Sequence, residues 1–268
     1  MKDNGKKYIK KELLPFFWCP GCGNGIIFAA MVRAMEENDL KKKDIVAVTG
    51  IGCWGKADDY LTTHAFHGTH GRAIPVATGV KLANPLLHVF ALVGDGDGAT
   101  IGGNHLIHAA RRNIDIIVIM SNNLNYGMTG GQYSGTTPYS SITSTSRTGH
   151  VEDGFDVSSL VKSAGAGYVA KSTIANPRMI QKFISKAIKK KYGFRFIEIV
   201  SICPTHYGKF NKMGNPVGMI KDIKQRTISI KKAEQLPLKE LENKIIVGEY
   251  NDQNIEGYIQ RYQKKINK

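Results

Sequence analysis

The chain has 268 residues, 42% of them apolar, which is enough to bury a full core as one large domain or one domain with a tail and excludes a disordered chain. With 37 Lys and Arg against 22 Asp and Glu the formal net charge is +15. The basic residues fall in runs (Lys41 to Lys43, Lys189 to Lys191, Lys264-Lys265) without interleaved aromatics or a reading motif, so a solvated lysine-rich surface explains them best, docking of acidic partners next, and nucleic acid last.

In chain order, the first apolar run, Leu13-Leu14-Pro15-Phe16-Phe17-Trp18, is short, broken by proline and followed at once by Cys19-Pro20-Gly21-Cys22-Gly23, which argues against a signal peptide. Strands are predicted at Asp44 to Thr49, Leu87 to Val93, Ile114 to Met120, Gly167 to Ala170 and Phe194 to Val200, with a helix from about Ile101 to Arg112. Asn176-Pro177 reads as an N-cap followed by proline at the first helical position. Met179, Ile180, Phe183, Ile184, Ala187 and Ile188 then recur at helical spacing, lysines face out, and Gly193 closes the element. Strands alternating with helices imply an α/β fold, a mainly parallel sheet covered by helices. No apolar stretch reaches the length of a membrane span. Ser121 to His150 is a long Asn-, Gly-, Ser- and Thr-rich loop straight after a buried strand, where open α/β sheets bind ligands. The expected division is a main domain over residues 1–204 and a C-terminal arm or lid over 205–268, where the pattern weakens.

Two constellations carry chemistry. Gly94-Asp95-Gly96-Asp97 ends one strand and Asn122-Asn123 ends the next, so an acid and an amide reach the same sheet edge. Glycine lets backbone N-H groups approach a diphosphate, while the Asp95 carboxylate, the Asn123 amide oxygen and the Asn125 carbonyl are hard ligands for Mg2+. A lone Gly-Asp-Gly is usually a turn; the Asn-Asn that follows a helix and strand makes the pattern much more specific, and together they resemble the thiamine diphosphate signature of enzymes such as transketolase and pyruvate decarboxylase. The second constellation uses all four cysteines: Cys19, Cys22, Cys53 and Cys203. They are too few for a secreted disulfide scaffold and suit metal ligation in a reducing, cytoplasmic compartment. Thiolates serve both zinc and iron-sulfur centres, but a structural zinc site usually pairs two Cys-x-x-Cys knuckles. Here one pair is joined by two singles.

Cys-Pro-Gly-Cys-Gly, Gly-Ile-Gly-Cys, His-Gly-Thr-His-Gly-Arg-Ala, Gly-Asp-Gly-Asp, Ile-Gly-Gly-Asn-His-x-Ile-His-Ala-Ala-Arg-Arg-Asn and Tyr-Gly-Met-Thr-Gly-Gly-Gln together resemble the β subunit of 2-oxoacid:ferredoxin oxidoreductases over about residues 15–205. The resemblance implies a thiamine diphosphate-binding fold with Asp95, Asn123 and Asn125 on Mg2+. It places Ile51, Gly52, Cys53, Trp54, His70, Gly71, Arg72, Ala73, Gly96, Asp97, Gly127 and Met128 around the cofactor, and a 4Fe-4S cluster on the four cysteines. His70 and Arg72 are donors suited to a diphosphate or a substrate carboxylate. His64, His67, His105 and His108 have weaker claims.

The implied reaction is coenzyme A-dependent oxidative decarboxylation of a 2-oxoacid to acyl-CoA and CO2, with electrons passed to ferredoxin. The compact chain and Tyr-Gly-Met-Thr-Gly-Gly-Gln resemble the branch that acts on 2-oxoglutarate or on 2-oxoacids generally, which puts branched-chain 2-oxoacids and pyruvate behind. No glutamate of the family's activating type is evident, so no catalytic residue is assigned to this chain. The α subunit is expected to supply that glutamate, and γ and δ subunits are compatible with the same reading. Trp54 follows Cys53 where relatives often carry a small residue, which leaves the pocket's shape and substrate open. The rival readings are a non-redox thiamine diphosphate decarboxylase and a zinc-stabilised assembly protein.

Overall fold

The computed structural model describes residues 5–267. Its strands are β1 Ile45–Thr49, β2 His64–His67, β3 His88–Gly94, β4 Ile117–Asn122, β5 Tyr168–Thr173, β6 Arg195–Val200, β7 Thr227–Ser229 and β8 Ile245–Asp252. They form one sheet in the order β2-β1-β3-β4-β6-β5-β8-β7, and every neighbouring pair is parallel except β5 and β8. The α/β class read from the sequence is the class observed.

Helices α1 Asn24–Glu37, α2 Ala73–Ala83, α3 Gly103–Arg112, α4 Val157–Ser163 and α5 Pro177–Lys189 cover the sheet. Side chains alternate across each strand: Phe90 and Leu92 of β3 join α1 and α5 in one core layer, whereas Val89, Ala91 and Val93 join α2, α3 and α4 in the other. A strand buried on both faces is largely apolar, which is why β1, β3, β4, β5 and β6 are legible as apolar runs even though β5 carries Lys171 and β6 carries Arg195 and Glu198. In α5, Asn176 accepts from the Met179 amide at 3.1 Å and Pro177 opens the first turn. That helix ends at Lys189, before Gly193, whose φ of 83° belongs to the turn into β6. The helix expected over Ile101 to Arg112 is α3, which begins at Gly103, and a π-helical stretch, Gly96–Ile101, leads into it. Such π turns often accompany functional sites.

The segment expected as an arm or lid joins the same sheet. After the helices α6 Tyr207–Phe210 and α7 Pro216–Arg226, β8 pairs with β5 and β7 extends the edge. The outer limits of the two expected ranges, residues 1–4 and 268, lie outside the described residues. Among the described residues no helix is long and apolar enough to cross a membrane.

Candidate active site at the carboxyl ends of the strands

Strand register brings the chemistry together. Gly94 pairs with Ser121, so Asp95 and Asn122-Asn123 leave the sheet side by side. Thr49 pairs with Leu92, and Asn122 with Val200, so the Ile51 to Trp54 loop and the Ser201 to Cys203 segment emerge at the same end. The chain winds from β1 to β2 on one side and returns to β3 on the other, which parts the loops after β1 and β3 and opens a crevice. The cavity in that crevice is lined by Ile51, Gly52, Cys53, Trp54, His70, Asp95, Gly96, Asp97, Asn123, Asn125, Gly127 and Met128, with Tyr126 and Thr129 beside them. Gly71, Arg72 and Ala73 do not line it: Gly71 is buried, the exposed Arg72 guanidinium donates to the Gly71 carbonyl at 3.2 Å, and Ala73 begins α2 within the core.

The three Mg2+ candidates form an oxygen focus. Asn123 Oδ1 lies 2.8 Å from the Asn125 carbonyl oxygen, 3.1 Å from Asp95 Oδ1 and 3.3 Å from Asn125 Oδ1. Turning the amide over would put its Nδ2 among the same three acceptors, so the space calls either for that donor or for a cation. Adjacent oxygens of an octahedron with Mg2+-O distances of 2.0–2.1 Å stand about 2.9 Å apart, so the spacing suits Mg2+. Leu124, between the two asparagines, adopts a left-handed φ of 65°, rare for a bulky residue. Asn125 Nδ2 is buried without a partner. Burial raises the pKa of Asp95, opposed by hydrogen bonds from the Ser134 and Thr136 hydroxyls and the Asn123 amide. A bound cation would favour its charged form.

The diphosphate candidates fit in kind. Gly52 has a φ of 105°, and a side chain there would meet nothing within 4 Å, so its backbone faces open space in the cavity. A Cβ on Gly96 would collide with the Tyr126 ring, whose hydroxyl donates to the Gly96 carbonyl at 3.1 Å. Asp97 is 2% exposed and its Oδ1 accepts from Gly71 N at 2.7 Å, with His70 Nδ1 at 2.6 Å.

Among the cysteines, Cys203 is buried, Cys22 and Cys53 half-buried and Cys19 exposed. The Ser201 hydroxyl donates to the Cys22 carbonyl at 2.8 Å, tying the Cys-x-x-Cys loop to the segment that bears Cys203. Burial pushes the Cys22 thiol up to about 11 and Cys53 up to about 12. Charge on Cys19 and Cys203 adds to both shifts, and charge on Cys22 adds to that of Cys53, so the four sulfurs sense one another. Among the described residues no three His, Cys, Asp or Glu are gathered closely enough to hold a single metal ion.

Trp54 is 2% exposed and donates Nε1 to the Ile119 carbonyl at 3.1 Å. Its ring sits 5.8 Å from Trp18, whose own Nε1 donates to the Cys53 carbonyl at 2.6 Å. Trp54 therefore packs into an aromatic cluster and also forms part of the cavity wall. Of the histidines with weaker claims, His67 contacts Asp58 at 3.1 Å and Thr49 at 3.0 Å on exposed β2, and His64 shares that strand. His105 and His108 lie on α3. None of these four lines the cavity. Sequence reasoning did not single out Ser134 and Thr136, which hold Asp95, because nothing periodic marks them within the polar loop.

Comparison with known proteins agrees with this geometry. Residues 50–199 match the family described as thiamine pyrophosphate enzyme, C-terminal TPP binding domain, which defines the class as a thiamine diphosphate-binding domain. The chain is 47% identical over 262 residues to the 2-oxoglutarate synthase subunit KorB of Methanocaldococcus jannaschii, covering 98% of this chain and 97% of that protein. It is 41% identical to the KorB subunit of Archaeoglobus fulgidus, covering 98% and 95%. The solved 2-oxoglutarate:ferredoxin oxidoreductase from Magnetococcus marinus, with 2-oxoglutarate, coenzyme A and succinyl-CoA bound, superposes with a TM-score of 0.87 at 30% identity and covers 100% of this chain and 90% of that one. The chain belongs to the β-subunit family of 2-oxoacid:ferredoxin oxidoreductases.

Proposed function

We propose that this chain is the β subunit of a 2-oxoglutarate:ferredoxin oxidoreductase. The net reaction converts 2-oxoglutarate and coenzyme A to succinyl-CoA and CO2, while two electrons pass to two ferredoxin molecules. The observation that carries the reading is the single cavity wall shared by the Cys53 loop, the Asp95 to Asp97 turn and the Asn123 to Asn125 turn. The substrate is argued from the relatives, two of which are named for 2-oxoglutarate at 47% and 41% identity over 98% of the chain. The β-subunit family implies an α partner, which would complete the site.

Bound thiamine diphosphate would supply a nucleophilic carbon for the keto group and a sink for the electron pair left when CO2 departs. Asp95, Asn123 and the Asn125 carbonyl would hold its Mg2+, and the Gly52 and Gly96 backbone would approach the diphosphate. His70, oriented by Asp97, would present its Nε2 to the cavity. Trp54, Tyr126 and Met128 would exclude water. The four cysteines would hold a 4Fe-4S cluster for one-electron transfer, a reading supported by one Cys-x-x-Cys pair joined to two single cysteines, one of them on the loop that lines the cavity. The same chemistry suits the reducing cytoplasm.

The test is co-expression with the α subunit, anaerobic purification, metal and sulfide analysis, and ferredoxin reduction with a panel of 2-oxoacids and coenzyme A. Iron with acid-labile sulfide and strongest turnover on 2-oxoglutarate are expected. Preferred turnover of pyruvate or a branched-chain 2-oxoacid would overturn the substrate, decarboxylation without ferredoxin reduction would point to a non-redox enzyme, and zinc alone would favour an assembly protein.

A further inference from the structure

Asp95 offers its two oxygens to two different surroundings. Oδ1 faces the oxygen focus formed with Asn123 and Asn125. Oδ2 lies 2.5 Å from Ser134 Oγ and 2.8 Å from Thr136 Oγ1, both on the long loop and both buried. We propose that Ser134 and Thr136 act as positioning residues that hold Asp95 to one metal-facing oxygen and so make the site prefer Mg2+ over Ca2+. The proposal rests on the thiamine diphosphate reading above.

Hydrogen-bond inventory fixes the direction of the clamp. Besides Asp95 Oδ2, Thr136 Oγ1 lies 3.0 Å from Asn122 Oδ1. The Asn122 amide is itself oriented: its Nδ2 donates to Glu198 Oε1 at 2.9 Å and its Oδ1 accepts from the Leu124 amide at 3.2 Å. Glu198 is fully buried, accepts from Ser158 at 2.6 Å and pairs with Lys171 at 3.2 Å, which keeps that amide from turning over. Thr136 therefore faces acceptors on both sides, and its single hydroxyl proton is shared between Asp95 Oδ2, the nearer at 2.8 Å, and Asn122 Oδ1. Ser134 lies 3.1 Å from Thr136 Oγ1 and donates to the same Asp95 oxygen. With the Ser134 proton on Oδ2 and the Thr136 proton shared with it, a metal at the focus meets Oδ1 alone.

Denticity matters because the two ions differ in what they need. Mg2+ takes six oxygens at 2.0–2.1 Å in a strict octahedron and is served by single oxygens. Ca2+ takes six to eight at 2.3–2.6 Å and readily chelates both oxygens of a carboxylate. Withholding Oδ2 removes a ligand that Ca2+ would use and that Mg2+ would not.

The test uses the assembled α–β complex and titrates thiamine diphosphate by calorimetry with either Mg2+ or Ca2+ as the sole divalent ion. Wild type should bind the cofactor about tenfold or more tighter with Mg2+, which corresponds to roughly 1.4 kcal/mol. Ser134→Ala combined with Thr136→Val should bring the ratio toward one through tighter binding with Ca2+. Thr136→Ser, which keeps the donor, should retain the wild-type ratio. If the double variant does not assemble, Ser134→Ala alone decides by the same ratio. An unchanged ratio, or equal losses with both ions, would overturn the clamp, as would a wild type without preference. Wild type that binds no thiamine diphosphate with either ion would instead overturn the functional reading.

Discussion

His70 Nδ1 and Asp97 Oδ1 stand 2.6 Å apart, and the Gly71 amide donates to the same oxygen at 2.7 Å. An ionised carboxylate only accepts, so the proton of this pair sits on His70 Nδ1 and leaves Nε2 for the cavity. Asp97 is thus the residue that fixes the ring's tautomer and tilt. Asp97→Asn should lower kcat of the complex by about 10- to 100-fold, the scale seen when the outer hydrogen-bond partner of a functional histidine is removed. An intact kcat would remove the role, whatever the effect on stability.

Asp95→Ala and Asn123→Ala should each abolish Mg2+-dependent thiamine diphosphate binding while leaving iron content unchanged. Both side chains face the oxygen focus, whereas neither contacts a cysteine in the hydrogen-bond network. Calorimetry on the complex checks the first half and iron analysis the second. Undiminished cofactor affinity in either variant would refute the assignment.

How far the sequence reveals this site depends on what each residue is doing. Asp95 and Asn123 follow strands with long apolar runs, Val89 to Val93 and Ile117 to Met120, and the ends of those runs mark where the sheet ends. Strand β2, by contrast, is His64-Ala65-Phe66-His67 and fully exposed, so no burial pattern announces it. Strands β7 and β8 lie at or near the opposite edge, and β8 turns polar after Val247. Helix α1 does carry Ile27, Met31, Ala34 and Met35 at helical spacing, but Gly23 provides no side-chain cap and the preceding cysteine motif draws the eye. Ser134 and Thr136 reach Asp95 only because the loop folds back across 39 and 41 residues of chain, and their types are common throughout that loop.

Trp54 should behave as a packing residue. Its ring is buried against Trp18 and its Nε1 satisfies the Ile119 carbonyl in the middle of β4. Trp54→Ala should destabilise the chain by about 3–5 kcal/mol, and Trp54→Phe by less, because phenylalanine fills most of the space and loses the hydrogen bond. Denaturant unfolding measures both. A loss under about 1 kcal/mol for alanine would mean that the ring mainly walls the cavity.

Cys53→Ser should impair both the cluster and turnover. Its thiol shares an environment with the other cysteines, and its loop also lines the cofactor cavity. Cys203 does not line that cavity, so Cys203→Ser should affect mainly iron content. Iron analysis and methyl viologen reduction by the complex separate the two effects. A fully loaded, active Cys53→Ser enzyme would sink the assignment.

The chain alone should fold yet decarboxylate no 2-oxoacid. The sheet, both core layers and the two strands added after Thr205 are complete within one polypeptide, so folding does not call for a partner. The chemistry does. Bound thiamine diphosphate would need a carboxylate beside its aminopyrimidine to promote proton transfer, and among the described residues no glutamate lines the cavity that holds Asp95 and Asn123. Glu198 is buried but faces Asn122, Ser158 and Lys171, and all three hold it in place. Exposed Met128, 40% accessible, and the neighbouring loop would be covered on docking, since an apolar side chain at a cofactor mouth is stabilised by leaving water. Adding the α subunit should restore 2-oxoacid-dependent ferredoxin reduction and protect the amides of residues 126–131 from hydrogen exchange. Robust coenzyme A-dependent acyl transfer by this polypeptide purified free of partners would show that the active site is whole without one.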